Sequence, residues 1–230
     1  MTPGGRGAGG FDLVFRAPRV VTAAGEVAGC VGVRDGRVAA VEPLEAGLAG
    51  ERTVTLSEDE VLLPGLVDTH VHVNQPGRTE WEGFASATRA AAAGGVTTIL
   101  DMPLNSIPPT VDVAALEVKR KAAAGQLHVD VGFLGGAVPG NLGELRGLHE
   151  AGVFGFKCFL VDSGVEEFPP LDAGQLDRYL EVLGGFPAPL LVHAEDAASI
   201  ERAPAAHGGR WPAWGARPRT TGGARAPGHR

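Results

Sequence analysis

Cysteine is scarce in this chain of 230 residues, which contains only Cys30 and Cys158. Two thiols so far apart in the sequence do not suggest a disulfide framework, so we expect both to be reduced. Long apolar runs are also missing, since no stretch approaches the roughly 20 residues that a membrane helix needs. The Gly-rich segment 1–10 lacks the apolar stretch of a signal peptide. We therefore expect a cytoplasmic protein with no membrane partner.

The chain also lacks an excess of basic residues. Its net charge is −7, so we expect no nucleic acid among its partners. The segment 204–230 differs from the rest, because it holds five arginines but no acidic residue and no Val, Leu, Ile or Phe. Without aliphatic periodicity this segment cannot supply a further strand. We expect an aberrant tail that is disordered, with the composition of a frame-shifted reading of G+C-rich coding sequence.

Short segments rich in β-branched and apolar residues follow one another between residues 11 and 60. The dipeptide Asp35-Gly36 between two of them predicts a tight hairpin. We expect a small β domain of sandwich type over residues 1–60, with a flexible start at 1–10. The predicted strands are Phe11–Val14, Arg19–Thr22, Cys30–Arg34, Arg37–Val41 and Thr53–Leu56.

From Val61 onwards apolar runs alternate with helical patterns, which predicts βα units and a parallel sheet. No Gly-rich dinucleotide turn follows any of the runs, which weakens the alternative of an open doubly wound sheet. We therefore predict an α/β fold in which residues 61–203 form about five units of a partial (β/α)8 TIM barrel. The predicted strands lie within Val61–Val73, Val96–Met102, Val129–Leu134, Val153–Leu160 and Leu190–His193. The predicted helices are Glu80–Ala93, Val113–Ala124, one opened by Asn141 with Glu144 as its capping-box partner, and one from Asp172 to Leu183.

Two histidines near the end of the first barrel strand carry the sharpest chemical signal. Alternate strand residues share a face, so His70 and His72 converge on one side. Two such imidazoles can bind one metal ion. A His-x-His pair in an arbitrary protein is more often inert, but this pair lies where a barrel places its active site.

Lys157 and His193 lie at the ends of two later strands. The neighbours of Lys157 are apolar, and burial would lower its pKa and favour the neutral amine. Taken alone, Lys157 would be read as a lysine that reaches solvent, and His193 as a packed core residue. Their shared position at strand carboxyl ends with His70 and His72 favours one common site at the barrel mouth.

These residues belong to longer motifs that resemble the amidohydrolase superfamily. The segment 64–72, Pro-Gly-Leu-Val-Asp-Thr-His-Val-His, is similar to the first-strand motif of that superfamily. Within the superfamily, segments 74–84, 101–106 and 155–160 resemble the allantoinases. The resemblance covers about Phe11 to Ala206 and consists of several ungapped motifs in the same order.

The resemblance implies a hydrolase that opens a cyclic amide, with allantoin as the expected small-molecule substrate and allantoate as the product. It implies two zinc ions bridged by carbamylated Lys157. By this resemblance His70 and His72 would bind one ion and His193 the other. A homo-oligomer, specifically a tetramer, is also implied for a full-length protein.

Two asparagines are expected to contact the substrate. Dihydroorotases typically have an arginine two residues after the second histidine, where this chain has Asn74, so an uncharged hydantoin-type ring is favoured. Asn105 is a second candidate contact by the same resemblance. A hydantoinase or dihydropyrimidinase is the alternative enzyme.

Two residues that the superfamily uses have no counterpart in this sequence. They are a histidine on the sixth strand and an aspartate on the eighth. We therefore expect this chain to be truncated and inactive, and to hold at most one metal ion well. A non-catalytic fragment that retains metal-binding residues is the alternative from another functional class.

Overall fold

A computed structural model describes residues 10–203 of the chain. The expected tail at 204–230 and nearly all of the expected flexible start lie outside the described residues. The chain divides into two compact units, the first reaching to Gly65 and the second beginning at Leu66.

In the first unit, residues 10–65 are described and hold four strands in one sheet: β1 (Phe11–Thr22), β2 (Gly25–Arg34), β3 (Arg37–Pro43) and β4 (Gly50–Thr55). Their order is β3-β2-β1-β4, with β4 parallel to β1 and the other pairs antiparallel. The hairpin prediction is confirmed, since Asp35 and Gly36 have φ values of 50° and 71°. The residues described up to Gly65 form this single sheet rather than two packed sheets.

The first two predicted strands are one continuous strand. The pairing of β1 with β2 shifts register between Ala17 and Val20, which lets the chain continue past Pro18. The segment after residue 60 also follows β1, because Leu62 N donates to Arg19 O at 2.8 Å and Val21 N donates to Leu62 O at 3.0 Å. These two bonds explain why the first unit extends to Gly65.

The second unit is built on parallel strands, as predicted. They are β5 (Leu66–Val71), β6 (Val96–Asp101), β7 (Asp130–Phe133), β8 (Gly135–Gly136), β9 (Phe156–Phe159) and β10 (Leu190–His193). They form two sheets, β5-β6-β7 and β8-β9-β10, and only Leu134 separates β7 from β8. Within each sheet every strand lies beside its successor in the chain, which is the order of a singly wound α/β fold.

Within the described residues 66–203, five α-helices follow strands: α1 (Phe84–Ala93), α2 (Val113–Ala123), α3 (Leu145–Glu150), α4 (Ala173–Leu183) and α5 (Ala197–Arg202). The prediction for α4 is confirmed, with Asp172 and Gln175 forming a reciprocal capping box. The capping box predicted at Asn141 is wrong. The Asn141 side chain instead accepts from Val138 N at 3.0 Å and donates to Gly136 O at 2.8 Å, so it braces the loop after β8.

The core of the second unit lies between its strands and helices. Phe84, Ile99, Leu116 and Phe156 are each at most 1% exposed within it. A second cluster, which includes Met102, Leu134 and Phe168, lies at and beyond the carboxyl ends of the strands. The packing of the two clusters brings these strand ends and their loops together. No helix within residues 10–203 is both long enough and apolar enough to cross a membrane.

Candidate metal centre

The two histidines of the first barrel strand lie side by side. His70 is the penultimate residue of β5 and His72 directly follows the strand, and their ring centroids are 5.5 Å apart. The pairing of β5 with β6 is irregular between Asp68 and Val71, and there His70 N donates to Asp68 Oδ1 at 3.0 Å. The end of β5 is thus held partly by the hydrogen bond to the Asp68 side chain, and not only by backbone hydrogen bonds to β6.

His72 is the more buried of the two histidines. Burial, together with the smaller effect of positive charge on His70, Lys119 and Lys157, lowers the pKa of His72 to about 4. His72 is therefore neutral at physiological pH, which is the form of imidazole that binds metals. Its Nδ1 atom lies 3.3 Å from Nδ2 of Asn105, so the amide of Asn105 contacts the ring.

Lys157 lies in β9 with 4% of its surface exposed. Its Nζ atom is 4.7 Å from the centroid of the Phe159 ring, and no carboxylate pairs with it within residues 10–203. Burial lowers the pKa of this lysine, which favours the neutral amine. The neighbouring thiol differs, because burial raises the pKa of Cys158 to about 11 and keeps it protonated.

His193 is the last residue of β10, at the level of Phe159 in the neighbouring strand. Its ring stacks on that of Phe159, with centroids 5.0 Å apart and an interplanar angle of 16°. Its Nε2 atom lies 3.0 Å from Glu195 Oε1. Phe159 thus contacts both the His193 ring and Nζ of Lys157.

The structure brings some of the predicted ligands together and not others. His70 and His72 are neighbours, and Lys157 is close enough to influence the pKa of His72. Within the described part of the chain, no three His, Cys, Asp or Glu side chains are arranged to hold a metal ion. The ring of His193, which was predicted to bind the other ion, contacts Phe159 and Glu195.

Asn74 and Asn105 lie in the loops that follow β5 and β6. Asn74 is 8% exposed, and its Oδ1 atom has no hydrogen-bond partner among the described residues. A buried acceptor of this kind costs free energy unless something else donates to it. Asn105 has a φ of 72° and directs its side chain towards His72.

A buried ion pair behind the histidines was not predicted from the sequence. Lys119 Nζ lies 2.6 Å from Asp101 Oδ2, and both side chains are at most 1% exposed. Asp101 Oδ1 accepts from Val73 N at 2.7 Å, directly after His72. The spacing of Lys119 from Leu116 and Ala123 places it on the buried stripe of α2, and this signal could have revealed it.

A second unpredicted ion pair lies above the strand ends. Arg78 Nη1 is 2.5 Å from Glu167 Oε1, and the two side chains are 19% and 24% exposed. Arg78 also stacks over Trp81, with 5.0 Å between the guanidinium carbon and the ring centroid. Glu167 is far from Arg78 in the sequence, so local patterns gave no signal for the ion pair.

Comparison with known proteins decides the family. The profile of the Amidohydrolase family matches residues 61–206. The chain belongs to the amidohydrolase family. It is 56% identical over 201 residues to an allantoinase of Streptomyces avermitilis, covering 87% of this chain and 45% of that protein. It is 57% identical over 134 residues to an allantoinase of Saccharomyces cerevisiae, covering 58% of this chain and 29% of that protein.

A solved structure supports the assignment to the amidohydrolase family. The L-hydantoinase (dihydropyrimidinase) of Arthrobacter aurescens is 33% identical and superposes with a TM-score of 0.76, covering 83% of this chain and 42% of that chain. The chain spans less than half the length of these relatives.

The residues at the ends of β5 and β9 fit a divalent metal ion in part. His72 is a neutral imidazole beside a second imidazole, and Lys157 is a buried amine with a lowered pKa and no carboxylate partner in the described part of the chain. Neutral imidazole nitrogens suit zinc and similar metals, whereas the amine of Lys157 would contribute only after it gains a carboxylate.

Proposed function

We propose that the protein carrying this chain hydrolyses a cyclic amide, with allantoin as substrate and allantoate as product. The observation that carries the proposal is the neutral His72 imidazole beside His70 at the end of β5, near the desolvated amine of Lys157. The allantoinase relatives support the choice of substrate.

In this proposal His70, His72, His193 and the carbamate of Lys157 hold two zinc ions. Bound metal would lower the pKa of a water molecule and polarise the substrate carbonyl. Lys157 forms its carbamate when the neutral amine attacks carbon dioxide, making an N–C bond and releasing one proton. The lowered pKa of Lys157 favours this reaction, because only the unprotonated amine is a nucleophile.

Asn74 is proposed to contact the substrate ring. Its buried Oδ1 atom lacks a donor among the described residues, and a ring N–H of a hydantoin would supply one. The nearby cation is already engaged, because Arg78 is paired with Glu167. An uncharged ring therefore fits this loop better than a carboxylate such as dihydroorotate. Asn105 is proposed as a second contact on the same side.

The wider organisation completes the proposal. Residues 61–203 would be about five units of a (β/α)8 barrel preceded by a small β domain, in a cytoplasmic homotetramer. A hydantoinase or dihydropyrimidinase activity is the second candidate, favoured by the structural similarity to the Arthrobacter aurescens L-hydantoinase.

A substrate panel tests the proposal. The zinc-loaded protein would be assayed on allantoin, hydantoin, dihydrouracil and dihydroorotate, with ring opening followed by chromatography. We expect the highest kcat/KM on allantoin and a loss of activity in His72→Asn. Preference for hydantoin or dihydrouracil would support the second candidate, and preference for dihydroorotate would contradict the role given to Asn74.

A further inference from the structure

We propose that Asp101 is a positioning residue that fixes the main chain at His72 and so sets the direction in which this histidine points. Asp101 is the last residue of β6, and His72 directly follows the neighbouring strand β5. Asp101 acts through hydrogen bonds on either side of the histidine. This role rests on the proposed function, because it concerns a histidine of the candidate metal centre.

His72 lies just beyond the regular pairing of its strand. The pairing of β5 with β6 is irregular between Asp68 and Val71, and β5 ends at Val71, which pairs with Asp101. Beyond the last pair, the ladder no longer supplies partners for the main chain. The direction of the His72 side chain therefore depends on hydrogen bonds made outside the ladder.

Two hydrogen bonds to the end of β6 enclose His72. Met102 N donates to Val71 O at 2.8 Å, and Val73 N donates to Asp101 Oδ1 at 2.7 Å. The first bond orients the peptide group before His72, and the second orients the peptide group after it. Because peptide groups are planar, fixing both of them leaves little freedom in φ and ψ of His72. The Cα–Cβ bond of the histidine then has one direction.

The carboxylate that accepts from Val73 N is itself held in place. Lys119 Nζ lies 2.6 Å from Asp101 Oδ2, and both side chains are buried. Lys119 Nζ also donates to Met102 O at 3.0 Å, so the lysine contacts both residues that bond on either side of His72. A buried polar network in which both carboxylate oxygens have partners is rigid. The side chain of Asp101 can therefore serve as a fixed acceptor.

The main chain of Asp101 is joined to the next strand as well. Asp101 pairs with Phe133 at the end of β7, and Leu134 N donates to Asp101 O at 3.0 Å. Asp101 is thus held by β7 and, through Lys119, by α2. The main chain at His72 is bonded to a point that two other elements keep in position.

Two double variants separate positioning from stability, because both remove the ion pair without leaving a buried charge. In Asp101→Asn/Lys119→Met, the acceptor variant, an oxygen remains to accept from Val73 N. In Asp101→Val/Lys119→Met, the apolar variant, no acceptor remains. Urea unfolding checks that both variants are folded. If Asp101→Val/Lys119→Met does not unfold cooperatively, Asp101→Ala/Lys119→Met takes its place, since it adds no bulk.

Hydrogen exchange of the Val73 amide in the metal-free chain tests the bond to Asp101. We expect slow exchange in the wild type and in the acceptor variant, and exchange at least about tenfold faster in the apolar variant. The exposed change Lys121→Met is the control and should leave the exchange rate unchanged. A Val73 amide that exchanges in the wild type as fast as an exposed amide would overturn the inference, whatever the variants show.

A zinc titration followed through the His72 ring signals tests the consequence for the metal ligand. These signals are assigned with His72→Asn. Loss of an outer partner of a metal ligand weakens binding by about 10- to 100-fold. We expect the apolar variant to bind zinc more weakly than the acceptor variant by such a factor, although neither has the ion pair. Equal zinc affinities in the two folded variants would overturn the inference, because Asp101 would then contribute to stability alone.

The proposed function can fail separately. If the two variants differ in zinc affinity as expected but no cyclic amide is hydrolysed, the positioning role stands and the proposed activity does not. If allantoin is hydrolysed and the two variants bind zinc equally well, the proposed activity stands and the positioning role does not.

Discussion

At the scale of single residues, the environment of each site residue sets its chemistry. Burial lowers the pKa of His72, and neighbouring positive charges add a smaller effect, whereas burial raises the pKa of Cys158 by more than the charge of Lys157 lowers it. The pattern His-x-His at 70 and 72 was sufficient to predict adjacent rings from strand geometry. The lowered pKa of His72 was not predictable, because it arises from burial in the folded chain and from charges on two other segments, at Lys119 and Lys157.

The pKa of His72 is the first testable quantity. Because the folded value is about 4 and the ordinary value is 6.5, the unfolded chain binds more protons between these values. His72 therefore makes the folded state less stable as the pH falls from 6.5 towards 4. Asp101 acts in the opposite sense, since burial raises its pKa to about 6. Because the two groups have opposite effects on the pH dependence of the free energy of unfolding, the measurement must report on His72 alone.

An NMR titration of the metal-free chain provides that specificity. The His72 ring signals, assigned with His72→Asn, should titrate with a midpoint near 4. A midpoint between 6 and 7, the range of a solvated histidine, would contradict the burial described here.

Lys157 is the second residue with a specific prediction. If its carbamate bridges the metals, Lys157→Ala should lower kcat by at least about 100-fold, because a negatively charged ligand is lost. Short carboxylic acids such as acetate or propionate should restore part of the activity by occupying the vacated space. The measurement is allantoin hydrolysis with and without added acid, with Lys121→Ala as an exposed control on α2. Unchanged activity in Lys157→Ala would refute the assignment.

At the scale of secondary-structure elements, periodicity and capping signals predicted much of the second unit. The strand Leu190–His193 and the helix opened by Asp172 have the predicted bounds. The signal at Asn141 failed because its side chain donates to Val111 O, which is distant in sequence, and to Gly136 O in the preceding loop, instead of forming a cap. The stacking of His193 on Phe159 is likewise a contact between strands, which a single-sequence pattern does not contain.

The ion pair between β6 and α2 gives a prediction about stability. Lys119→Met should lower the free energy of unfolding by about 3–5 kcal/mol, because it leaves the Asp101 carboxylate buried and unpaired. The double variant Asp101→Asn/Lys119→Met should lose less than the sum of the two single variants. Urea unfolding measures these differences, with Lys121→Met as the exposed control, expected within about 0.5 kcal/mol of wild type. Additive losses would show that the pair is not coupled.

At the scale of the whole molecule, two strand edges stand out. Within residues 10–203, β5 pairs only with β6 and β10 pairs only with β9. Leu66 and Val67 on β5 are 54% and 60% exposed. Unpaired edges with exposed apolar side chains favour association with further strands. We propose that both edges are covered by further strands in the active protein.

A complementation experiment tests this proposal. The chain would be co-expressed with the segment of the Streptomyces avermitilis relative that lies beyond the matched region. We expect the two segments to co-purify, and the thermal midpoint of the chain to rise. The variant Val67→Lys, which places a charge on the β5 edge, should weaken the association, whereas Val38→Lys on the exposed face of the first unit should not. The proposal would be contradicted if the chain alone is soluble, monomeric and cooperatively folded, and if the added segment neither co-purifies with it nor raises its thermal midpoint.

The most direct test of the proposed metal-dependent hydrolysis is a zinc titration. The protein that carries this chain would be freed of metal and titrated with zinc while allantoin consumption is followed. The account predicts no turnover after chelation, activity that rises in proportion to bound zinc, and no such rise in His72→Asn. Allantoin consumption that persists after chelation, or that His72→Asn retains in full, would contradict the assignment of the metal centre to the ends of β5 and β9.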